Sequence, residues 1–511
     1  MKKKAVRIFC LILLSVICSY LLALSFPQSN IFILAWISLF PIILTFYFYQ
    51  GKISFFTGLF FGIIFYMQNA FWLYIFAGLI TLTLGAIHNA LYIALFGLFS
   101  SLFYKYFNKE DQYFERIFFT ASLWTILEYI KNTILISNNY GDIYITQHNF
   151  LQIIQFIDIT GSYGLSFLII LVNSFIAEIF YQLFFLKKNL FSDIKRIIFM
   201  ISVPFLISLL IICGNYKLNS YTNNNKEISV AIIQPNITKD IKFNPSYFLY
   251  QLETINEMTK KAVSYRPYII TMPETVIFDF IKNMRFLKKL EWISKTKNLN
   301  ILFGSLDGND KIYYNSAYLI TPENGLEKSN YKKVHLVPFG EYIPFKKYIG
   351  DWKILEEVGG YTPGTSFNIF SLSQCDFAVP ICFESNFPYI NRKFINKGAG
   401  FLITITNDMW YDRTNEAEVH MAISVFRSIE NRTYTVFCNN TGPSSIIEPT
   451  GRLQTSSQMF ERKILYGFVK PLNKKTVYTK YGEMAVYFSL FILIYFSFLF
   501  YFEKSKNRTN Q

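Results

Sequence analysis

At 511 residues, with 52% hydrophobic and only 16% charged side chains, the chain is too apolar for an ordinary soluble enzyme of its size. Its formal net charge of +15 does not point to nucleic acid, because many of the basic residues flank apolar stretches and no nucleic-acid motif occurs. Six scattered cysteines without a CxxC pair and four histidines without ligand spacing indicate no disulfide framework, no metal and no cofactor.

Eight apolar stretches follow in chain order, at 6–26, 29–49, 54–76, 81–104, 117–136, 162–186, 197–214 and 484–502. Each is near the ~20 residues that cross a bilayer as a helix. Lys2, Lys3 and Lys4 before the first resemble the start of a signal peptide, but the run is long and further spans follow. Lysines and arginines cluster at 2–7, at Lys52, at Lys105, Lys109 and Arg116, at 187–196 and at 504–508, whereas the loops 27–28, 77–80 and 137–161 have none. That alternation is the positive-inside pattern. It predicts a seven-helix bundle over 1–216, an extracytoplasmic domain over 217–482, and an eighth span with a cytoplasmic tail over 483–511. Both termini are then cytoplasmic. Glu128 and Lys131, three residues apart on the fifth span, read either as an ion pair or as part of a headgroup pocket.

Within 217–482, runs at 228–236, 267–274, 301–306, 313–320, 377–384, 401–408, 433–440 and 444–451 predict strands buried on both faces. Helical patterning covers 246–265, 281–297 and 415–431, so an α/β sheet domain covered by helices is expected. Cys375 and Cys382 share one predicted strand, where they would stand ~23 Å apart. Glu274 and Cys382 each end an apolar run, and Lys333 precedes HLVPFGEYIPF. A thiol, a carboxylate and an ammonium beside strand ends suit cysteine-based acyl chemistry. Taken singly, the cysteine also fits a buried structural thiol, and the other two fit surface charges.

The motifs IITMPET, YNSA, KVHLVPFGEYIPF, ICFES, TNDMWY and NRTYTVFCNNTGPSSIIEPTGR occur in fixed order. The set resembles the nitrilase, or carbon–nitrogen hydrolase, superfamily. HLVPFGEYIP together with an N-terminal membrane bundle resembles its apolipoprotein N-acyltransferases. The resemblance implies an αββα sandwich beside eight membrane helices. It also implies Glu274 as general base, Lys333 rather than Lys332 as oxyanion-stabilising lysine, and Cys382 as nucleophile. Glu341, Glu384 and Asn315 fall on further family positions. Met272 stands where the family usually has Trp, and Phe383 where it usually has Tyr. The implied reaction takes an acyl chain from a membrane phospholipid onto Cys382 and passes it to the α-amine of a lipoprotein's diacylglyceryl-cysteine. The implied setting is a monomer in the bacterial inner membrane with its catalytic domain in the periplasm. A membrane-tethered amidase using water in the second step shares the three residues, and a non-catalytic scaffold is the third reading.

The stretch 343–367 carries Phe345, Tyr348 and Trp352 among lysines, with Gly359, Gly360 and Gly364 on its distal side. Aromatic rings mixed with ammonium groups suit a lid at the headgroup interface, and an ordinary surface loop is the plainer alternative.

Overall fold

The computed structural model describes residues 2–509 apart from 135, 192, 278, 280, 282–286, 310–311, 345–358 and 473. The chain divides into two compact units. One is Met1–Asn219 with Glu483–Gln511, the other Ser220–Gly482. The helix Ile194–Ser220 runs on past the expected domain start at 217.

The first unit is helical. Among the described residues, five helices are long and apolar enough to cross a membrane: Lys3–Ala23, Trp72–Tyr106, Ser162–Phe185, Ile194–Ser220 and Met484–Tyr501. Helices Lys52–Asn69 and Tyr113–Thr133 fall on the third and fifth predicted stretches. Residues Ala77 and Gly78 break the Trp72–Tyr106 helix with non-helical dihedrals, inside the turn expected at 77–80. The second predicted span is not one helix. It is a 3-10 turn, Phe32–Trp36, followed by a short α-helix, Phe40–Thr45, with Pro41 in its first turn. Proline suits a helix start because its missing N–H would have no partner there. The break is stitched by Asn173, whose Oδ1 accepts from the N–H groups of Leu39 and Phe40, each at 2.9 Å. Its Nδ2 donates to the Ala35 carbonyl at 2.9 Å. Unwound backbone in an apolar setting requires such a substitute partner.

Glu128 and Lys131 do not pair with each other as one reading had it. Lys131 Nζ lies 2.7 Å from Asp142 and 2.9 Å from the Tyr140 carbonyl, while Glu128 accepts from the Ile143 N–H at 3.0 Å. A pair the sequence did not announce joins Arg116 to Glu178 through two hydrogen bonds of 2.9 and 2.6 Å, both side chains being buried. Tyr47 also donates to that carboxylate.

The second unit is built on two mixed sheets. The first contains β1 (Ile228–Gln234), β2 (Ile269–Thr271), β3 (Asn300–Gly308), β4 (Tyr313–Thr321), β5 (Gly325–Leu326), β6 (Tyr331–Lys332) and β13 (Lys463–Val469), in the order β13-β1-β2-β3-β4-β5 with β6 on β4. The second contains β7 (Phe370–Ser371), β8 (Asp376–Ala378), β9 (Phe401–Thr406), β10 (Thr435–Asn439), β11 (Ser445–Ile447) and β12 (Leu453–Ser456), in the order β12-β11-β10-β9-β8-β7. Neighbours β1, β2 and β3 run parallel, as do β8, β9 and β10. Helices Phe248–Ser264 and Leu287–Lys297 pack on the first sheet and Glu416–Asn431 on the second, while β1 meets β10 between the sheets. The layers are therefore α, β, β, α, as in a nitrilase-like domain.

Alternation of apolar runs with amphipathic helices leads to this arrangement. Ile233, Ile255, Ile270, Ile301 and Phe303 fill one shared core with Met272, which is fully buried there. Each such side chain contributes roughly 1.5–3 kcal/mol on burial. Cys375 is not on a strand with Cys382. Strand β8 ends at Ala378, and Cys375 sits in a turn whose N–H bonds the Leu372 carbonyl.

Candidate active site

Parallel strands bring their carboxyl ends to one edge of each sheet, and the chemistry gathers there. Glu274 follows β2, Cys382 follows β8, and Asp408 follows β9. Lys333 comes directly after β6, its N–H bonded to the Asn315 carbonyl on β4 at 2.8 Å. The alternation at 332–333 settles which lysine turns inward. Lys332 pairs with Asp307 at 2.9 Å on the outer side and lies over the Tyr314 ring, whereas Lys333 is 1% exposed.

The Lys333 ammonium sits 2.9 Å from Glu341 Oε1 and 3.7 Å from Glu274 Oε1. Asn315 Nδ2 joins the two carboxylates, donating to Glu274 at 2.6 Å and to Glu341 at 3.1 Å. Glu341 in turn accepts from the Val337 N–H at 2.8 Å, so its free rotation is removed. Burial works against the Lys333 charge, yet Glu341, Cys382 and Glu274 together hold its proton more tightly than an ordinary lysine does. The lysine is a fixed cation.

Burial pushes the Glu274 carboxyl up, and Glu341 adds to this, while Lys333, Asn315 and Lys242 pull it down. Lys242 is a further buried cation, 5% exposed, whose Nζ lies 3.5 Å from the Glu274 carbonyl oxygen. Burial lowers its proton affinity to about 8, against the opposing pull of Glu274.

Cys382 opens a 3-10 turn, Cys382–Asn386, with a backbone φ of +51°. Residues with a Cβ rarely adopt that conformation, and its cost is met at sites where a side chain must be aimed. Burial and the Glu274 charge hold the thiol well above its ordinary value, against Lys333 and a hydrogen bond from Thr406. The resting group is thus a neutral thiol.

Glu384 does not face Lys333. Its Oε1 accepts from Tyr331 Oη, Val334 N and His335 N at 2.7, 2.8 and 3.0 Å, and its Oε2 from Ile381 N at 2.9 Å. It clamps the lysine-bearing segment to the cysteine-bearing turn. Phe383 packs its ring against His335 and Phe387. Burial and the Lys333 charge lower His335 to about 4, leaving it neutral.

Residues Phe345, Tyr348 and Trp352 lie outside the described residues. The segment's described end returns to the site. Gly359 N bonds Gly340 O, Tyr361 N bonds Glu341 O, and Gly364 N bonds Lys333 O at 2.7 Å. Gly364 packs closely on the strand beside it, since a Cβ there would stand 2.2 Å from the Lys332 carbonyl oxygen.

Beneath the thiol lies a polar cluster that sequence reasoning missed: Ser385, Thr406, Asp408, His420 and Asn439. These residues come from four separated segments, and His420 lacked ligand spacing, so nothing local marked them. The signal available was TNDMWY itself, whose Thr406 and Asp408 end a predicted strand.

Two family profiles match the chain. Residues 18–175 match the apolipoprotein N-acyltransferase N-terminal domain, and residues 229–471 match carbon-nitrogen hydrolase. Apolipoprotein N-acyltransferase 2 of Treponema denticola is 30% identical over 470 residues, 87% of each chain. The chain belongs to the apolipoprotein N-acyltransferase family. Other members align over most of their length. Apolipoprotein N-acyltransferase of Geobacter metallireducens is 28% identical over 487 residues, 92% of each chain. That of Thermotoga maritima is 27% identical over 512 residues, covering 94% of this chain and 92% of its own.

Proposed function

We propose that this protein N-acylates apolipoproteins through a thioester on Cys382. One observation carries the reading: a buried thiol, carboxylate and fixed ammonium meet at the strand ends of a chain that matches both halves of the family.

Glu274 takes the proton as the Cys382 sulfur attacks an ester carbonyl of a membrane phospholipid. The tetrahedral oxyanion forms beside the Lys333 ammonium, which Glu341 and Asn315 keep in place. Collapse breaks the ester C–O bond, and Glu274 returns the proton to the leaving alkoxide, releasing a lysophospholipid. The α-amine of a diacylglyceryl-cysteine then attacks the thioester and gives its proton to Glu274. Collapse expels Cys382, which recovers that proton, and the product is an amide. Glu384 holds the two halves of the site together rather than meeting either substrate.

The setting follows from the charge pattern: eight spans, both termini cytoplasmic, and residues 217–482 on the periplasmic side of the bacterial inner membrane. The segment 343–367 is read as a lid and the protein as a monomer. A membrane-tethered amidase has the same three residues, but the match of 18–175 to the N-acyltransferase N-terminal domain disfavours it. The full-length protein in phospholipid nanodiscs, given a diacylglyceryl-cysteine peptide, should yield an N-acyl peptide resistant to hydroxylamine. Release of free fatty acid with the peptide unmodified would instead support the hydrolase.

A further inference from the structure

His420 lies on helix Glu416–Asn431 and is 1% exposed. Its Nδ1 stands 3.1 and 3.2 Å from the two carboxylate oxygens of Asp408. The same carboxylate accepts from Thr406 Oγ1 at 2.8 Å and from Asn439 Nδ2 at 2.6 Å. Among the described residues, His420 is the only basic side chain in ion-pair reach of Asp408, which is 2% exposed. A carboxylate so buried is costly without a cation.

The other ring nitrogen decides the charge. His420 Nε2 lies 2.8 Å from Ser385 Oγ and 3.2 Å from the Cys382 carbonyl oxygen. Ser385 has one proton, and its Oγ stands 2.8 Å from that same carbonyl. With the ring neutral and Nδ1–H given to Asp408, Nε2 presents a lone pair. Ser385 must then choose between Nε2 and the carbonyl, and the lone pair faces an acceptor. With both nitrogens protonated, Nε2–H and Ser385 O–H are both donors and every contact is satisfied. The remaining groups around the ring agree. Phe437 meets it edge-on from β10. Glu416, one turn earlier on the helix, is pushed well up by burial and by the Asp408 charge, so it stays neutral.

We propose that His420 is an imidazolium held by Asp408 and is the positioning residue of the nucleophile turn. With Ser385 it anchors the Cys382 carbonyl and thereby fixes the left-handed backbone that aims the thiol. A cationic donor on that carbonyl also polarises the Cys382–Phe383 peptide, strengthening the N–H at its far end as a donor to a neighbouring oxyanion. The inference rests on Cys382 being the nucleophile.

Two measurements on the full-length protein in nanodiscs test it. In 15N-histidine-labelled protein, assigned with variants of the other three histidines, His420 should show two ring N–H groups at pH 7. A ring with a single proton at pH 7 would overturn the charge assignment. Single-turnover acylation of Cys382 by a small soluble ester should fall about 10²-fold in His420→Gln, with unchanged KM. In His420→Ala it should fall further, because glutamine keeps one donor. Acylation of both variants at the wild-type rate would refute positioning. Absence of acyl label on wild-type Cys382 would instead remove the reading beneath it, which keeps the two failures apart.

Discussion

Glu274 must be anionic to accept a thiol proton, yet its burial favours the neutral acid. Lys333 and Asn315 offset only part of that, so protonation sets in at higher pH than for an ordinary carboxyl. The acid limb of Cys382 acylation should therefore have its midpoint above the ordinary 4.5. Lys333, whose proton is held tightly, should add no limb on the alkaline side below its ordinary 10.5. Glu274→Gln should slow acylation by about 10²–10⁴-fold, read as the rate of label incorporation. Lys242 presents the opposite trade. Below pH 8 the folded protein carries this ammonium against its burial, a cost that shrinks as pH rises and vanishes above the ordinary 10.5. Lys242→Met should thus stabilise the fold by about 1–4 kcal/mol at neutral pH and lose that advantage near pH 10.5. Thermal unfolding at both pH values checks this, and equal midpoints at neutral pH would contradict it. Glu274, Lys333 and Cys382 were legible because each ends or borders an apolar run within a long motif. Lys242, Asp408 and His420 were not. Each has the local pattern of a surface charge or a helix-face residue, and only the tertiary fold buries it.

The turn from β8 into the 3-10 segment carries Cys382, and Glu384 ties that turn to the segment leaving β6. Glu384→Gln exchanges an acceptor oxygen for a donor and leaves buried N–H groups unpaired. A loss of about 1–3 kcal/mol is expected, with slower acylation, seen together in denaturation and label incorporation. Two glycines allow backbone to approach the segments that carry Glu274 and Lys333. A Cβ on Gly304 would lie 2.6 Å from Thr275 N and 2.8 Å from Glu274 Cα. A Cβ on Gly364 would lie 2.2 Å from Lys332 O. Gly304→Ala and Gly364→Ala should each cut acylation more than tenfold, because a 1 Å displacement of a catalytic group costs about 10². Normal rates in both would show that these contacts do not position the site. The central strands β1, β3, β4, β9 and β10 were readable from unbroken apolar runs. Short edge pieces such as β5, β6, β7 and the exposed β12 were not, since two to four residues of mixed polarity carry no period. The elbow at Cys382 was read as the continuation of a strand, because a left-handed residue leaves no mark in hydropathy.

At the scale of the whole chain, charge and hydropathy placed boundaries at 217 and 482, and the compact units divide after Asn219 and Gly482. They could not foresee that the second apolar stretch is broken, because the Asn173 side chain that satisfies the break lies more than a hundred residues away. The proposed crossing pattern makes a direct prediction. A cysteine replacing Asn189, in an otherwise cysteine-substituted background, should resist an impermeant reagent applied from the periplasmic side. Rapid labelling there would overturn the seven crossings before the catalytic domain. Trapping the covalent intermediate bears most directly on the chemistry. The purified full-length protein is incubated with radiolabelled phospholipid and no peptide acceptor, then digested and sequenced. Label should appear on the peptide containing Cys382, leave with hydroxylamine, and be absent in Cys382→Ser. Label that stays on the protein of Cys382→Ser, or that resists hydroxylamine, would contradict a Cys382 thioester.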